Sequence, residues 1–188
     1  MYKKKIKPVW DFIFAFLAIV FLSPVFIIVS IIIKLESKGP VFFIQERLGK
    51  DGRIFNIIKF RSMTVGDINF KDDFENYYNN PRITRFGKII RQTSIDELPQ
   101  LINIIKGDMS LIGPRPPLPY FPKNFQEYNA KEKIRFSVKP GLSGLVQVRD
   151  RRCDDWDKNI PVDLDYVKNI SFKMDVKIFF LSFLSFFK

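Results

Sequence analysis

Histidine is missing altogether from these 188 residues, and cysteine occurs once, at Cys153. The first absence removes Ser-His-Asp and Cys-His nucleophilic sites and takes away the commonest metal ligand of zinc enzymes. The second excludes an internal disulfide framework and fits a reducing compartment. Internal repeats and low-complexity tracts are lacking too. Catalysis by this chain must therefore rest on carboxylates, lysines and arginines, and a hard, oxygen-seeking cation such as Mg²⁺ is the metal that suits them.

Positive charge, by contrast, is in excess. Lys and Arg number 31 against 20 Asp and Glu, giving a net charge of +11 and an isoelectric point near 9.7. Such a surplus implies an anionic partner: nucleic acid, acidic lipid or a phosphorylated substrate. The length suits one domain with a real core. Phenylalanine is used 21 times and concentrates at the two ends of the chain.

The N-terminus is basic (Lys3, Lys4, Lys5, Lys7), and residues 10–33 then contain a single ionisable group, Asp11. A bilayer span needs about 20 apolar residues, so this run is long enough. No A-x-A-like cleavage site follows it, which argues against a cleaved signal peptide. Ser23-Pro24 interrupts its middle, and an interior proline removes a helical hydrogen bond. Lys34, Lys38, Arg47, Lys50 and Arg53 follow the run, so both flanks are basic. A spanning helix carries its basic excess on the cytoplasmic side only. The charge pattern therefore favours a helix that enters one leaflet, breaks at Ser23-Pro24 and returns to the same face, with a spanning helix as the alternative.

Val41 to Ile44 and Ile54 to Phe60 are β-branched and aromatic runs, and Gly49 and Gly52 between them mark a hairpin. The second run leads into Lys59-Phe60-Arg61, with cations at a strand end. Residues 65–81 read as a polar surface excursion, and Ile83 to Arg91 as a short amphipathic helix ending in Arg91. Phe125 to Phe136 has a helical pattern, Lys139 to Gly144 a turn pattern, and residues 149–157 the charge density of a loop. Asp163 to Asn169 begins a further helix. Residues 178–187 are almost all apolar but too few to span, so an interfacial helix is expected, with a core helix as the alternative.

The most informative stretch runs from Thr93 to Pro117: T-S-I-D-E-L-P-Q-L-I-N-I-I-K-G-D-M-S-L-I-G-P-R-P-P. Pro99 is tolerated only in a first turn, so helical geometry starts near Asp96, with Ser94 or Asp96 as cap. S-I-D-E also matches a capping box, in which Glu97 would reach back to the cap. Two acids at a helix start suit the macrodipole, which predicts an ionised, exposed Asp96. At the other end Arg115 stands between Pro114 and Pro116. A stiff backbone there presents a guanidinium at low entropic cost, as phosphate binding requires.

Taken together, K-F-R-S-M, S-I-D-E-L-P-Q-L-I-N, G-D-M-S-L-I-G-P-R-P and K-P-G-L-S-G-L-V-Q-V resemble the bacterial sugar transferase family, in its small monotopic phosphoglycosyl transferase form. The resemblance implies an α+β, mainly helical protein. Residues 1–36 would form a re-entrant membrane helix broken at Ser23-Pro24. Residues 37–188 would form a catalytic domain with a small β-hairpin and interfacial helices around a site on the cytosolic face of the bacterial inner membrane, one functional unit with the helix. It implies transfer of a sugar 1-phosphate from a UDP-sugar to polyprenyl (undecaprenyl) phosphate, with release of UMP. Asp96 would be the nucleophile of a covalent intermediate and Glu97 its partner, the two carboxylates holding Mg²⁺. Lys59, Arg91, Pro114, Arg115, Gln147, Arg151 and Asp163 would bind substrate, with membrane lipid as a further partner and nucleic acid as none. Both nucleophiles of such a reaction are anions at neutral pH, so neither needs a histidine base. One departure concerns Arg149-Asp150-Arg151, where many members carry Asn-Gly-Arg; the lost glycine restricts that loop. The competing reading is a non-catalytic, basic membrane-surface protein that binds anionic lipid or nucleic acid, for which Asp96 and Glu97 would be dispensable. The sugar, the polyprenol and the oligomeric state are not written in the sequence.

Overall fold

A computed structural model of the protein describes residues 1–66, 80–149 and 155–185. After one turn of π-helix at Tyr2–Ile6, helix α1 runs over Lys7–Glu36. It is long and apolar enough to cross a membrane, yet only a narrow stripe of it packs inward. Lys7, Asp11, Ala15, Val29 and Ile33 are buried, while Phe12, Phe16, Phe21, Ile27, Ile31 and others around them are exposed. Spacings of four and seven residues put the buried set on one face. Ser23-Pro24 lies inside this helix rather than ending it. Proline has no N–H for the carbonyl four residues back, which is that of Val20. Ser23 Oγ donates to that same carbonyl at 2.8 Å, which satisfies the group that proline leaves bare.

Strands β1 (Phe42–Leu48) and β2 (Ile54–Phe60) form the expected antiparallel hairpin, with Phe42 opposite Phe60 and Leu48 opposite Ile54. The first strand runs four residues past the end of its apolar run, because every residue of β2 finds a partner in β1. Helix α2 (Arg85–Gln92) follows, capped by the Thr84 hydroxyl, which accepts from Gly87 N at 2.9 Å. A 3₁₀ turn at Ile95–Glu97 then leads to α3 (Gln100–Lys106), with Pro99 as its cap residue. Asn103 of α3 clasps the hairpin: its Oδ1 accepts from Ile58 N at 3.0 Å, and its Nδ2 donates to Asn56 O at 2.7 Å.

Strand β3 (Ser110–Ile112) pairs in parallel with β4 (Gly141–Ser143), a second small sheet that no sequence pattern announces at three residues per strand. Between them, the Phe125–Phe136 region is not one helix. Asn129 restarts the chain with its own capping box, accepting from Glu132 N while Glu132 accepts from Asn129 N, so α4 spans only Ala130–Lys133. The Lys139–Gly144 turn contains β4, and Leu145–Arg149 is a short helix, α5. Helix α6 (Trp156–Lys168) begins seven residues before Asp163, capped by Asp155, and carries Pro161 inside. Helix α7 spans Phe172–Ser185; Asp175 and Ile178 face inward, while Phe179, Phe180, Phe183 and Leu184 are exposed.

Two apolar clusters join α1 to the rest. Ala15 packs with Phe55, Ile57, Leu101 and Ile104, and Val29 and Ile33 pack with Phe60 and Ile90. A buried polar knot fixes the N-terminal end. Lys7 Nζ donates to Asp175 Oδ2 at 2.7 Å, Tyr166 donates to Asp175 Oδ1 at 2.7 Å, and Ser110 Oγ donates to Asp11 Oδ2 at 2.6 Å. At the other end Arg61 donates to the carbonyls of Ser37 and Lys38, tying off the last turn of α1. The Arg61 guanidinium is thus spent on a helix terminus, and of the cations in Lys59-Phe60-Arg61 only Lys59 reaches the site described next.

Candidate active site

Alternation along the hairpin places residues 43, 45 and 47 of β1 on one face with 55, 57 and 59 of β2. Arg47 and Lys59 therefore share a face, with Ile57 between them. All three line a pocket whose remaining wall includes Glu97, Gln100, Arg115 and Pro116. Lys59 Nζ donates to Glu97 Oε1 at 2.7 Å, which ties the hairpin to the acidic turn.

Local backbone geometry explains where the two acids point. Ser94 adopts a left-handed conformation (φ 54°) and makes no side-chain cap bond, so the capping box does not form. Glu97 is thereby released from the chain behind it and turns to Lys59. Burial alone would raise its carboxyl, but Lys59, Arg115 and Arg47 outweigh that and hold it well below the usual carboxylate range. Asp96 does not sit exposed as its position suggested; it is 5% exposed. Burial raises its carboxyl to about 6, Glu97 pushes in the same direction, and Lys59 and Arg91 pull it back down. The neighbours thus divide the pair electrically into a carboxylate firmly ionised and one that is harder to ionise. At neutral pH the latter is still mainly the anion.

Arg115 sits on a loop held from several sides. Gly113 N donates to Ser143 O at 2.9 Å and Gly141 N to Pro114 O at 3.0 Å, so the two glycine motifs lock through backbone. A Cβ on Gly141 would lie 2.1 Å from Gly113 N, which is why no side chain fits there. Arg47 Nη1 donates to Pro116 O at 3.2 Å, and Leu48 N to Pro117 O at 2.9 Å. From below, Arg135 Nη2 donates to the carbonyl of Arg115 at 3.1 Å and pairs with Asp163.

The structure thus brings Lys59, Glu97 and Arg115 into one pocket, whereas Asp96, buried in the same turn as Glu97, and Arg91, at the end of α2, do not line it. Pro114 lines a small cavity behind the loop, beside Arg135. Gln147 lies on α5 near Gly144, and its Oε1 is buried without a hydrogen bond among the described residues. Asp163 is 1% exposed and faces Arg135 rather than the pocket. Arg151, and with it the Arg149-Asp150-Arg151 departure, lies outside the described residues. Sequence reasoning missed Arg47, Gln100 and Arg135. Only Arg47 had a signal, since extending the first strand by its alternation puts it on the face of Lys59.

Residues 2–188 match the family model described as "Bacterial sugar transferase". The chain is 37% identical over 177 residues to the UDP-glucose:undecaprenyl-phosphate glucose-1-phosphate transferase of Escherichia coli K12, covering 92% of this chain and 38% of that protein. It is 43% identical over 178 residues to the UDP-N-acetylgalactosamine-undecaprenyl-phosphate N-acetylgalactosaminephosphotransferase of Aeromonas hydrophila, covering 93% and 42%. Similarity to the "uncharacterized sugar transferase EpsL" of Bacillus subtilis 168 is 38% over 179 residues, covering 94% and 85%. The chain thus spans about two-fifths of the length of the first two relatives and most of the third. All three are named as transferases, which leaves the non-catalytic alternative without support.

Proposed function

The chain belongs to the bacterial sugar transferase family, and from that premise we propose that it transfers a sugar 1-phosphate from a UDP-sugar to polyprenyl phosphate, releasing UMP. The observation that carries this reading is the meeting of Glu97 with Lys59, Arg47 and Arg115 around one pocket, with Asp96 buried in the same turn as Glu97, in a molecule whose first and last described helices are apolar outside. Cations there suit a diphosphate, and the apolar helices suit a lipid acceptor.

In the proposed chemistry a carboxylate oxygen of Asp96 attacks the sugar-bearing phosphorus, and the bond from that phosphorus to the bridging oxygen breaks. UMP leaves with the electron pair, and an aspartyl phosphosugar remains. An oxygen of polyprenyl phosphate then attacks the same phosphorus, and the Asp96 carboxylate departs. Both attacking groups are anions, so the missing histidine is no obstacle. Two acids on consecutive residues project in different directions, which supports Asp96 as nucleophile and Glu97 as its electrostatic partner.

The donor set fits Mg²⁺: two carboxylates offer hard oxygens, and Mg²⁺ takes its other ligands from phosphate and water. Among the described residues no group of three or more acidic, Cys or His side chains could hold a metal alone, so the substrate would complete the site. When bound, the ion would neutralise charge on the diphosphate.

Topology follows the same reading. A helix of this length extends about 45 Å, yet the knot at Lys7 and the Arg61 cap at the far end both belong to the one domain. That supports both ends of α1 lying on one side of the membrane, the cytoplasmic face of a bacterial inner membrane. The test of function is a screen of UDP-sugars with polyprenyl phosphate, read as UMP release dependent on both substrates. No UMP release with any sugar would reject it.

A further inference from the structure

We propose that Gln100 is the residue that hydrogen-bonds a hydroxyl of the sugar being transferred. The proposal rests on the reading of this pocket as a sugar-phosphate transfer site, and it gives the neutral part of the donor a partner there.

Helix α3 buries two carboxamides and uses them differently. Asn103 is 1% exposed and engaged on both sides, its Oδ1 accepting from Ile58 N and its Nδ2 donating to Asn56 O. Gln100, one turn earlier, is 2% exposed and lines the pocket together with Glu97 and Leu142. Among the described residues its carboxamide has no hydrogen-bond partner, yet neither of its polar atoms is sealed inside the protein. The access left to the amide is the pocket that it lines. An unpaired buried amide is destabilising, and at the wall of a pocket a ligand can supply the bonds that the fold does not. The backbone beneath it is held. Pro99 caps the helix that Gln100 begins, Leu101 N donates to Leu98 O at 3.0 Å, and Leu101 and Ile104 pack in the core with Phe55 and Ile57.

The chemistry of the amide says what it binds. Arg47, Lys59, Glu97 and Arg115 in the pocket wall are charged, and among the described residues lining it Gln100 is the single neutral side chain with polar atoms. A carboxamide offers N–H donors and a carbonyl acceptor. A phosphate oxygen only accepts and would engage one side of that group. A sugar hydroxyl donates and accepts, so it can engage both. Position agrees with chemistry. Gln100 follows Asp96 by four residues and Glu97 by three, across a 3₁₀ turn and the start of α3, and so stands about one turn from both acids. In the proposed reaction those acids meet the sugar-bearing phosphorus, and the sugar is the neutral group attached to it. The uridine lies beyond the second phosphate.

The experiment measures binding to the full chain in detergent, in an Asp96→Asn background so that donor is not consumed, with and without Gln100→Met. UDP-glucose, UDP-galactose and their N-acetylamino counterparts are the sugar probes, and UDP is the probe without sugar. Methionine keeps the unbranched shape and the helix propensity of glutamine but has no amide. The sugar nucleotide that the parent binds best should lose about tenfold in affinity while UDP binds as before. The melting temperature should hold or rise, because an unpaired buried amide gives way to an apolar group. Affinity for that sugar nucleotide within twofold of the parent would overturn the proposal. So would an equal loss of UDP, which places the amide on phosphate or uridine, or a lower melting temperature with every probe weakened, which gives it a structural duty. If Gln100→Met does not fold, Gln100→Asn keeps the amide but withdraws it by one methylene. The preference for the sugar nucleotide over UDP should then fall, and an unchanged preference would overturn the proposal. Wild type that releases UMP while Gln100→Met keeps its sugar binding would reject this inference alone. Wild type that releases no UMP from any UDP-sugar would reject the proposed function, and this inference with it.

Discussion

Arg135 and Asp163 form an ion pair sealed beneath the loop that presents Arg115, both about 1% exposed, and the same guanidinium holds the carbonyl of Arg115. Trp156 and Phe136 flank that guanidinium, with ring centroids 5.2 and 5.4 Å away. Asp163 therefore supports the site from within its floor.

Removing one partner of a buried pair strands the other charge, so Asp163→Ala should lose about 3–5 kcal/mol of stability. Thermal unfolding would read it. A variant with wild-type melting and reduced UDP-sugar affinity would show that Asp163 touches substrate instead.

Asp96→Asn should abolish turnover and also covalent labelling by a sugar-labelled UDP-sugar in the absence of polyprenyl phosphate. Wild type should take up label and release UMP in comparable amounts, and polyprenyl phosphate should then move the label into lipid. Label retained on the asparagine variant would place the nucleophile elsewhere.

The same substitution has a stability consequence. Burial raises the Asp96 carboxyl to about 6, above its unfolded value, so the folded chain binds the proton more tightly. Its contribution is favourable at low pH and is lost as pH rises through that value. In chelator at pH 7, Asp96→Asn should melt at or above the wild-type temperature. At pH 4 the difference should shrink. A lower melting temperature for the variant at pH 7 would contradict the burial argument.

If Mg²⁺ is held by Asp96, Glu97 and the diphosphate, EDTA should stop turnover and Mg²⁺ restore it. Glu97→Gln should raise the Mg²⁺ concentration needed for half activity. Full activity in chelator would remove the metal from the scheme.

For topology, Cys153 is first replaced by serine, and single cysteines are placed at Lys3 and at Lys50, which is exposed in the hairpin turn. A membrane-impermeant thiol reagent should reach both from the cytoplasmic side. Labelling from opposite sides would make α1 a spanning helix. Replacing Ser23-Pro24 by Leu-Ala restores the missing backbone donor to Val20 and should shift the helix towards spanning.

By itself the sequence determined the backbone wherever a local rule applied. Glycines 49 and 52 turned the hairpin and Arg115 was held between prolines, whereas Pro99, expected inside a first turn starting near Asp96, instead caps α3 at Gln100 after a separate 3₁₀ turn. The apolar run from residue 10 became helical, although the break expected at Ser23-Pro24 does not interrupt it. Tertiary structure decided which charge meets which. Glu97 faces Lys59, 38 residues away in the chain, because Ser94 turns left-handed and forgoes the cap. Arg61, next but one to Lys59, goes instead to the end of α1, and Asp163 goes under the loop to Arg135. Arg47 enters the site only because β1 extends to match β2. Asp96 is buried because the turn carrying it packs against β2 and α2. Local propensity acts over one turn or one strand, whereas the energy of a charge depends on burial and on partners tens of residues distant, and only the folded chain supplies those.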